Sequence, residues 1–400
     1  MKLLLPIYLI CYLTEFAGML VIFAVSRALG ESDVTFMTMG YFGAAISISM
    51  SVSCFLGGKL SDCVGRKQMV VIGMVLQWLA IAGCAQTGPT SHLRLAAYCG
   101  GGFAMGLIYP SVYAWLSSGS GAGRAASGVG RSVVLFALTW NAGVVSGQAG
   151  GGWLFGLDMN APIYAALALI SVNFVLLFFL SAAPRSVAPP DETHTESHAA
   201  DAARRALAYA FAKMAWLANL GSACAMSITI YLLPRLMDLR KIEPEQHGLI
   251  LAITRAAVIA TYLLMFWQTF WRTRFGLVFV SHVLAAGGLM TVYYARDVWV
   301  LTLGLVAAAQ LSGFNYFASL YYSTTGSRHD NRATATGIHE ATHLLGFAIG
   351  TLLGGFIGDH FNDPAEAYRF AAGLIVVLTV AQIVIYFTKV RPMRQRVLTA

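Results

Sequence analysis

His339-Glu340-Ala341-Thr342-His343 has the H-E-x-x-H spacing, in which two histidines one helical turn apart ligate zinc and the glutamate acts as general base. Taken alone it predicts an intramembrane zinc metalloprotease, because the pentapeptide sits inside an apolar run. No Asp-Gly pair occurs in the chain to offer a third ligand of the kind intramembrane zinc proteases use. Helical steps of four, three and four residues instead carry His339, His343, Gly346 and Gly350 along one stripe, with Glu340 beside it. Histidines on such a stripe either pack or form a titratable His/Glu cluster that takes part in proton movement. No metal is expected.

Other polar groups lie deep in apolar surroundings. Glu15 is eleven residues into the run from Leu4, a depth of about 17 Å at ~1.5 Å per residue. An intramembrane charge costs roughly 2.5 to 3.5 kcal/mol, so such a carboxyl faces a cavity or a partner. It could carry a proton, meet a cationic solute, or simply be hydrogen-bonded between helices. Arg255 lies about 12 Å into its run and Arg131 about 10 Å, where Arg131 can snorkel to the interface. Both could meet an organic anion. Tyr109, Asn219 and Asn315 can hydrogen-bond a solute or tie helices together, and His282 reads as a packing histidine.

The elements that position these groups follow from composition. The 400 residues are 58% hydrophobic and 11% charged, with a mean hydropathy of +0.67. Soluble domains are about one quarter charged, and disorder is excluded by the apolarity. The apolar runs last about 20 residues, which fits membrane-crossing helices and not the ~10-residue alternation of a membrane barrel. Twelve spans are read: Leu4 to Val25, Phe36 to Gly57, Gln68 to Gln86, Leu93 to Leu116, Ala125 to Ala149, Ala161 to Ser181, Tyr209 to Leu233, Gly248 to Phe270, Phe275 to Tyr294, Val298 to Tyr322, Ala333 to Phe356 and Tyr368 to Thr388. With an internal amino terminus, one side receives seventeen lysines and arginines and the other seven. That asymmetry places both termini in the cytoplasm and accounts for the net charge of +8 without nucleic acid. The six cysteines are scattered with no CxxC spacing and read as small apolar residues.

Residues 182–208, rich in proline, histidine and acids, read as a cytoplasmic linker between bundles 1–181 and 209–389, with a basic tail at 390–400. An internal repeat supports the division. Gly106, Arg124 and Gly128 after span 4 return as Gly313, Arg332 and Gly337 after span 10, an offset of about half the chain. Glycine rows Gly143, Gly147, Gly151, Gly152 and Gly346, Gly350, Gly354, Gly355 also recur, but at an offset of 203 that disagrees with the first repeat. Their expected role is close helix packing.

Between spans 2 and 3, Gly58-Lys59-Leu60-Ser61-Asp62-Cys63-Val64-Gly65-Arg66-Lys67 closely resembles the loop signature of the major facilitator superfamily, G-x-L-x-D-(R)-x-G-R-K. The resemblance covers the full length. It implies an all-α integral membrane protein of twelve transmembrane helices, arranged as two six-helix bundles related by pseudo-twofold symmetry. Gly58, Asp62, Gly65, Arg66 and Lys67 would then form a gating loop, and spans 1, 4, 7 and 10 would line a central cavity. Cys63 replaces the usual arginine, and the second copy, Trp271-Arg272-Thr273-Arg274-Phe275-Gly276, has Thr273 in place of the acid. Gly143 to Gly152 resemble the glycine motif of the superfamily's antiporters, with Gln148 where that motif has proline.

The expectation is a secondary transporter, not an enzyme, that moves a small organic solute by alternating access. It would be proton-coupled and lean to export of cationic or amphipathic compounds. Substrate and coupling residues would come from Glu15, Tyr109, Arg131, Asn219, Arg255, Asn315, His339, Glu340 and His343. The alternative is an organic-anion transporter using Arg255 and Arg131. No cofactor is expected, and no Walker sequence is present to bind ATP. The partners would be the solute, protons and membrane lipid, and the protein would work as a monomer in the inner membrane.

Overall fold

The computed structural model describes residues 5–119, 127–180, 198–327 and 332–399. Every regular element among the described residues is helical: α1 (Leu5–Glu31), α2 (Phe36–Val64), α3 (Arg66–Ala85), α4 (His92–Gly119), α5 (Ser127–Leu157), α6 (Ala161–Phe178), α7 (His198–Tyr231), α8 (Leu233–Leu239), α9 (Pro244–Trp267), α10 (Phe275–Tyr294), α11 (Val298–Gly326), α12 (Arg332–Phe361), α13 (Glu366–Ile385) and α14 (Arg391–Thr399). A π-helical turn, Tyr386–Val390, joins the last two. Eleven of these helices are long and apolar enough to cross a membrane, and α5 adds a further helix of 31 residues. The cause is solvent. With no water to satisfy a backbone in lipid, each span closes its own hydrogen bonds, and only a helix does this within one segment.

Spans 7 to 12 correspond to α7, α9, α10, α11, α12 and α13. Several boundaries differ from expectation. Helix α1 runs on to Glu31 and α2 to Val64, so Gly58 and Asp62 lie on the end of a helix and not in a loop after it, and only Gly65 makes the turn. Helix α7 begins at His198, within the expected linker, because Ala199-Ala200-Asp201-Ala202-Ala203 is strongly helix-forming. Helix α5 continues to Leu157, beyond Ala149, and its Gly143, Gly147 and Gly152 lie against neighbouring backbone.

The chain divides into two compact units. The first holds Met1–Pro190 with Ile230–Arg255, and the second holds Asp191–Thr229 with Ala256–Ala400. The boundary therefore cuts through α7 and α9. In the first unit α1 packs on α5 and α6, and α4 packs on α2 and α3. Segment 230–255 is fastened to α1 by the Arg235 guanidinium, which donates to Gly30 O at 2.9 Å, and by Arg27, which donates to Ile242 O at 3.0 Å. In the second unit α10 packs on α11 and α13.

Loop chemistry sets the connections. Gly65, at φ 107°, takes the turn from α2 to α3 in backbone space that a side chain would strain. Lys67 then donates to Leu180 O. In the corresponding loop of the second unit, Trp271 is buried and donates to Met265 O at 2.8 Å, and the Thr273 amide donates to Tyr322 Oη at 2.8 Å. The Arg272 guanidinium lies 4.7 Å from the Tyr321 ring. Aromatic anchors thus hold the loop that lacks an acid at Thr273.

Candidate functional site

The glycines of α5 determine what surrounds Glu15. A Cβ on Gly143 would meet Tyr12 O at 2.7 Å and Glu15 Cβ at 2.9 Å, and one on Gly147 would meet Phe16 O at 2.9 Å. Only glycine lets α5 lie this close to α1. The approach brings Trp140, one turn before Gly143, to the Glu15 carboxyl, where its indole is a hydrogen-bond donor. From α4 the Tyr109 hydroxyl donates to Glu15 Oε2. Glu15 is only 1% exposed. Phe136 and Trp140 each meet the Tyr109 ring edge-on at 6.5 Å, and the Arg255 guanidinium stands 5.0 Å from the Trp140 ring centroid. Nearby, Tyr12 Oη and Ser146 Oγ share a hydrogen bond of 2.8 Å, and Asn173 donates to Thr14 Oγ1 at 3.0 Å. The result is a carboxylate in an aromatic enclosure, its oxygens met by neutral donors and one arginine at the edge. Such an enclosure suits a proton or an organic cation with an apolar body.

The second unit builds a related cluster. A Cβ on Gly346 would meet Leu220 O at 2.4 Å and one on Gly350 would meet Cys224 O at 2.5 Å, so α12 presses on α7 as α5 presses on α1. In both units each glycine of the pair sits on the carbonyl of one residue and the side chain three positions later. The 203 offset of the glycine rows is therefore a true structural equivalence, and it differs from the 207 of Gly106 and Gly313 because the intervening connections differ in length. On this register His343 occupies the place of Trp140, His339 that of Phe136, and Tyr316 that of Tyr109. The ring contacts agree: Tyr316 meets His339 at 4.5 Å and His343 at 5.1 Å, both edge-on. Tyr316 donates to Glu340 Oε1 at 2.8 Å. His339 Nδ1 pairs with Ser319 Oγ at 2.8 Å, and its Nε2 lies 3.6 Å from Glu340 Oε1.

The sequence-derived candidates therefore fall into two groups. Glu15, Tyr109 and Arg255 come together in the first unit. Asn219, His339, Glu340 and His343 come together in the second, with Asn219 donating to His339 O at 3.3 Å and its Oδ1 3.3 Å from His343 Nδ1. Asn315 donates to Ala218 O at 3.1 Å and ties α11 to α7. Gly58 and Asp62 fall on α2 and Arg131 on α5, and the side chains of Asp62 and Arg131 lie outside what the structure describes. Gly65 forms the turn already described, and Arg66 opens α3 beside Lys67. His282 is held by Val278 O at 2.7 Å and Gln382 at 3.0 Å, as a packing histidine would be. Among the described residues no three His, Cys, Asp or Glu side chains form a metal-binding group.

Trp140, Tyr316 and Ser319 were not singled out from the sequence. Tyr316 was within reach, because it repeats Tyr109 at the offset of Gly106 and Gly313. Trp140 was not, since an aromatic residue in an apolar span carries no signal until the glycine register places it.

The family model of the Major Facilitator Superfamily matches residues 4–327 and, in a second match, 215–399. The quinolone resistance protein NorA of Staphylococcus aureus is 22% identical over 363 residues, covering 88% of this chain and 89% of NorA. Among solved structures, an inward-facing, unoccupied bacterial homologue of the human lysosomal transporter Spinster has a TM-score of 0.73 at 14% identity, covering 98% of this chain and 97% of the other. A D-xylose–proton symporter has a TM-score of 0.71 at 14% identity, covering 96% and 97%. The intramembrane protease reading has no footing in these relationships. The chain is a multi-pass membrane protein and belongs to the Major Facilitator Superfamily of transporters.

Proposed function

We propose that the protein is a proton-coupled exporter of cationic or amphipathic small organic molecules, working by alternating access. The observation that carries this reading is the Glu15 carboxyl, enclosed by Tyr109 and Trp140 and accompanied by a wall of aromatic rings. A cation could exchange with a proton at that carboxyl, while its apolar body is held by the rings. The relative NorA is named for quinolone resistance, and a second relative, of Bacillus subtilis, is named multidrug resistance protein 2, which supports export. The lysine and arginine asymmetry supports an inner-membrane location with both termini cytoplasmic. Each chain would act as a monomer.

A second reading rests on Arg255, which is only 8% exposed and faces the same enclosure. An organic anion would pair with it and leave Glu15 to proton coupling or structure.

Thermal unfolding of the detergent-purified protein against matched organic cations and anions separates the two. A ligand at about 100 times its Kd stabilises the folded state by ~2.7 kcal/mol. Stabilisation by cations that disappears in Glu15→Gln is the expected result. Stabilisation by anions alone, lost in Arg255→Ala, would overturn the cation reading in favour of the second.

A further inference from the structure

His247 lies in the first turns of α9, away from the Glu15 enclosure, and is completely buried. Its ring faces Phe23 of α1 with centroids 5.0 Å apart. Neither ring nitrogen has a hydrogen-bond partner, and the same is true of Gln148 Oε1 on α5. Both side chains line one small cavity of about 10 Å³, together with Met19, Ile22, Ser26, Pro234 and Leu251 among others. A histidine and a glutamine with idle polar atoms in an apolar cavity are costly to keep unless one of them gains a partner in another state.

The groups that face the ring come from three other elements. From α1, Arg27 is 96% buried near His247, with Glu31 paired to it at 2.7 Å. From α5 only the neutral Gln148 faces the ring. From α8, Arg235 and Asp238 are paired with each other at 3.4 Å. In the chain His247 follows Glu243, just before α9, and Glu245 in the first turn of α9, but it sits at the positive end of the α9 dipole. An imidazolium here would place a second cation beside Arg27 with no carboxylate assigned to it.

The same residue sits at the tightest point of the segment's attachment. Next to it, a Cβ on Gly248 would meet Gln148 O at 2.5 Å and Gly152 Cα at 2.8 Å, so α5 and α9 touch backbone to backbone. Solvent lies close: a polar vestibule is lined by Arg27, Glu31, Asp238, Lys241, Glu243 and Pro244, the last of these one turn from His247.

We propose that His247 is a proton-binding site outside the transport site, whose protonation releases segment 230–255 from α1 and α5. The proton comes from solvent in the vestibule and adds to a free ring nitrogen. The inference requires no particular solute and no role for Glu15.

Hydrogen–deuterium exchange of the full-length purified protein at pH 7.5 and 5.5, corrected for the intrinsic exchange rate, tests it. Exchange in peptides from 230–255 is expected to rise at least threefold at pH 5.5, while α6, which carries no titratable acid or histidine, stays unchanged. In His247→Asn and His247→Gln the rise should disappear, and in Glu15→Gln it should persist. A wild-type segment indifferent to pH, or an equal rise in both His247 variants, would overturn the assignment. Loss of the rise in Glu15→Gln would place the proton at the transport site instead and equally overturn it.

Discussion

Gly143→Ala tests whether the α1–α5 contact is what assembles the Glu15 enclosure. The added methyl would lie 2.7 Å from Tyr12 O and 2.9 Å from Glu15 Cβ, whereas ordinary contact begins at 3.4 Å. The first of these atoms is backbone, so the helices must part by 3.4 − 2.7, or about 0.7 Å. A hydrogen bond of normal length, about 2.9 Å, would be stretched to roughly 3.6 Å and lost. Trp140, one turn away on α5, would therefore release Glu15. Alanine gains about 1 kcal/mol of helix propensity over glycine, but overpacking costs about 1–3 kcal/mol, so a net loss is expected. Gly156→Ala is the control on the same helix, because its Cβ would meet nothing within 4 Å. Thermal unfolding in detergent should place Gly143→Ala below the wild type and Gly156→Ala at or above it. Ligand stabilisation should weaken only in the former. Equal or higher stability of Gly143→Ala, with ligand response intact, would refute the argument that helix approach builds the site.

Trp271→Ala removes the buried indole that anchors the loop after α9 and its bond to Met265 O. A cost of about 3–5 kcal/mol is expected, read as a large drop in unfolding temperature, and a loss near that of a surface substitution would show the anchor to be dispensable. Asp62→Asn should slow transport several-fold in proteoliposomes while leaving the unfolding temperature within a degree or two, as a gating-loop acid would; unchanged turnover would remove Asp62 from gating.

Much of the helical framework is legible in the chain because its cause is local. Runs of about 20 apolar residues leave the backbone no alternative to a helix in lipid. The G-x-L-x-D-x-x-G-R-K signature then marks the family. Glu15 and Arg255 were visible because a charge in such a run is rare. Their company was not, because Trp140 and Phe136 look like any aromatic residues of a span until contacts fix the rotation of α5 about α1. The start of α7 at His198 was obscured for a different reason: charged residues such as Asp201, Arg204 and Arg205 read as linker, although the alanines between them propagate helix well beyond the apolar core.

The glycine rows show most directly how packing carries information that spacing alone does not. Two internal offsets, 207 and 203, conflict if the chain is aligned as one repeat, and the glycine contacts resolve them: Gly143 and Gly147 use the carbonyls of Tyr12 and Phe16 as Gly346 and Gly350 use those of Leu220 and Cys224. Once that register is fixed, the same tyrosine of the repeat is seen to reach a glutamate in each unit, but from a different helix. Tyr109 reaches Glu15 on α1, and Tyr316 reaches Glu340 on α12. The frame of close-packed glycines is thus shared, and what it presents differs: two aromatic rings, Phe136 and Trp140, in one unit and two histidines, His339 and His343, in the other. An aromatic wall adds apolar surface and cation–π attraction around a carboxyl, whereas an imidazole pair adds ring nitrogens that can donate or accept hydrogen bonds. The two units therefore offer different chemistry from one backbone geometry, which is why the aligned residue types, and not the fold, must carry any argument about what each half does.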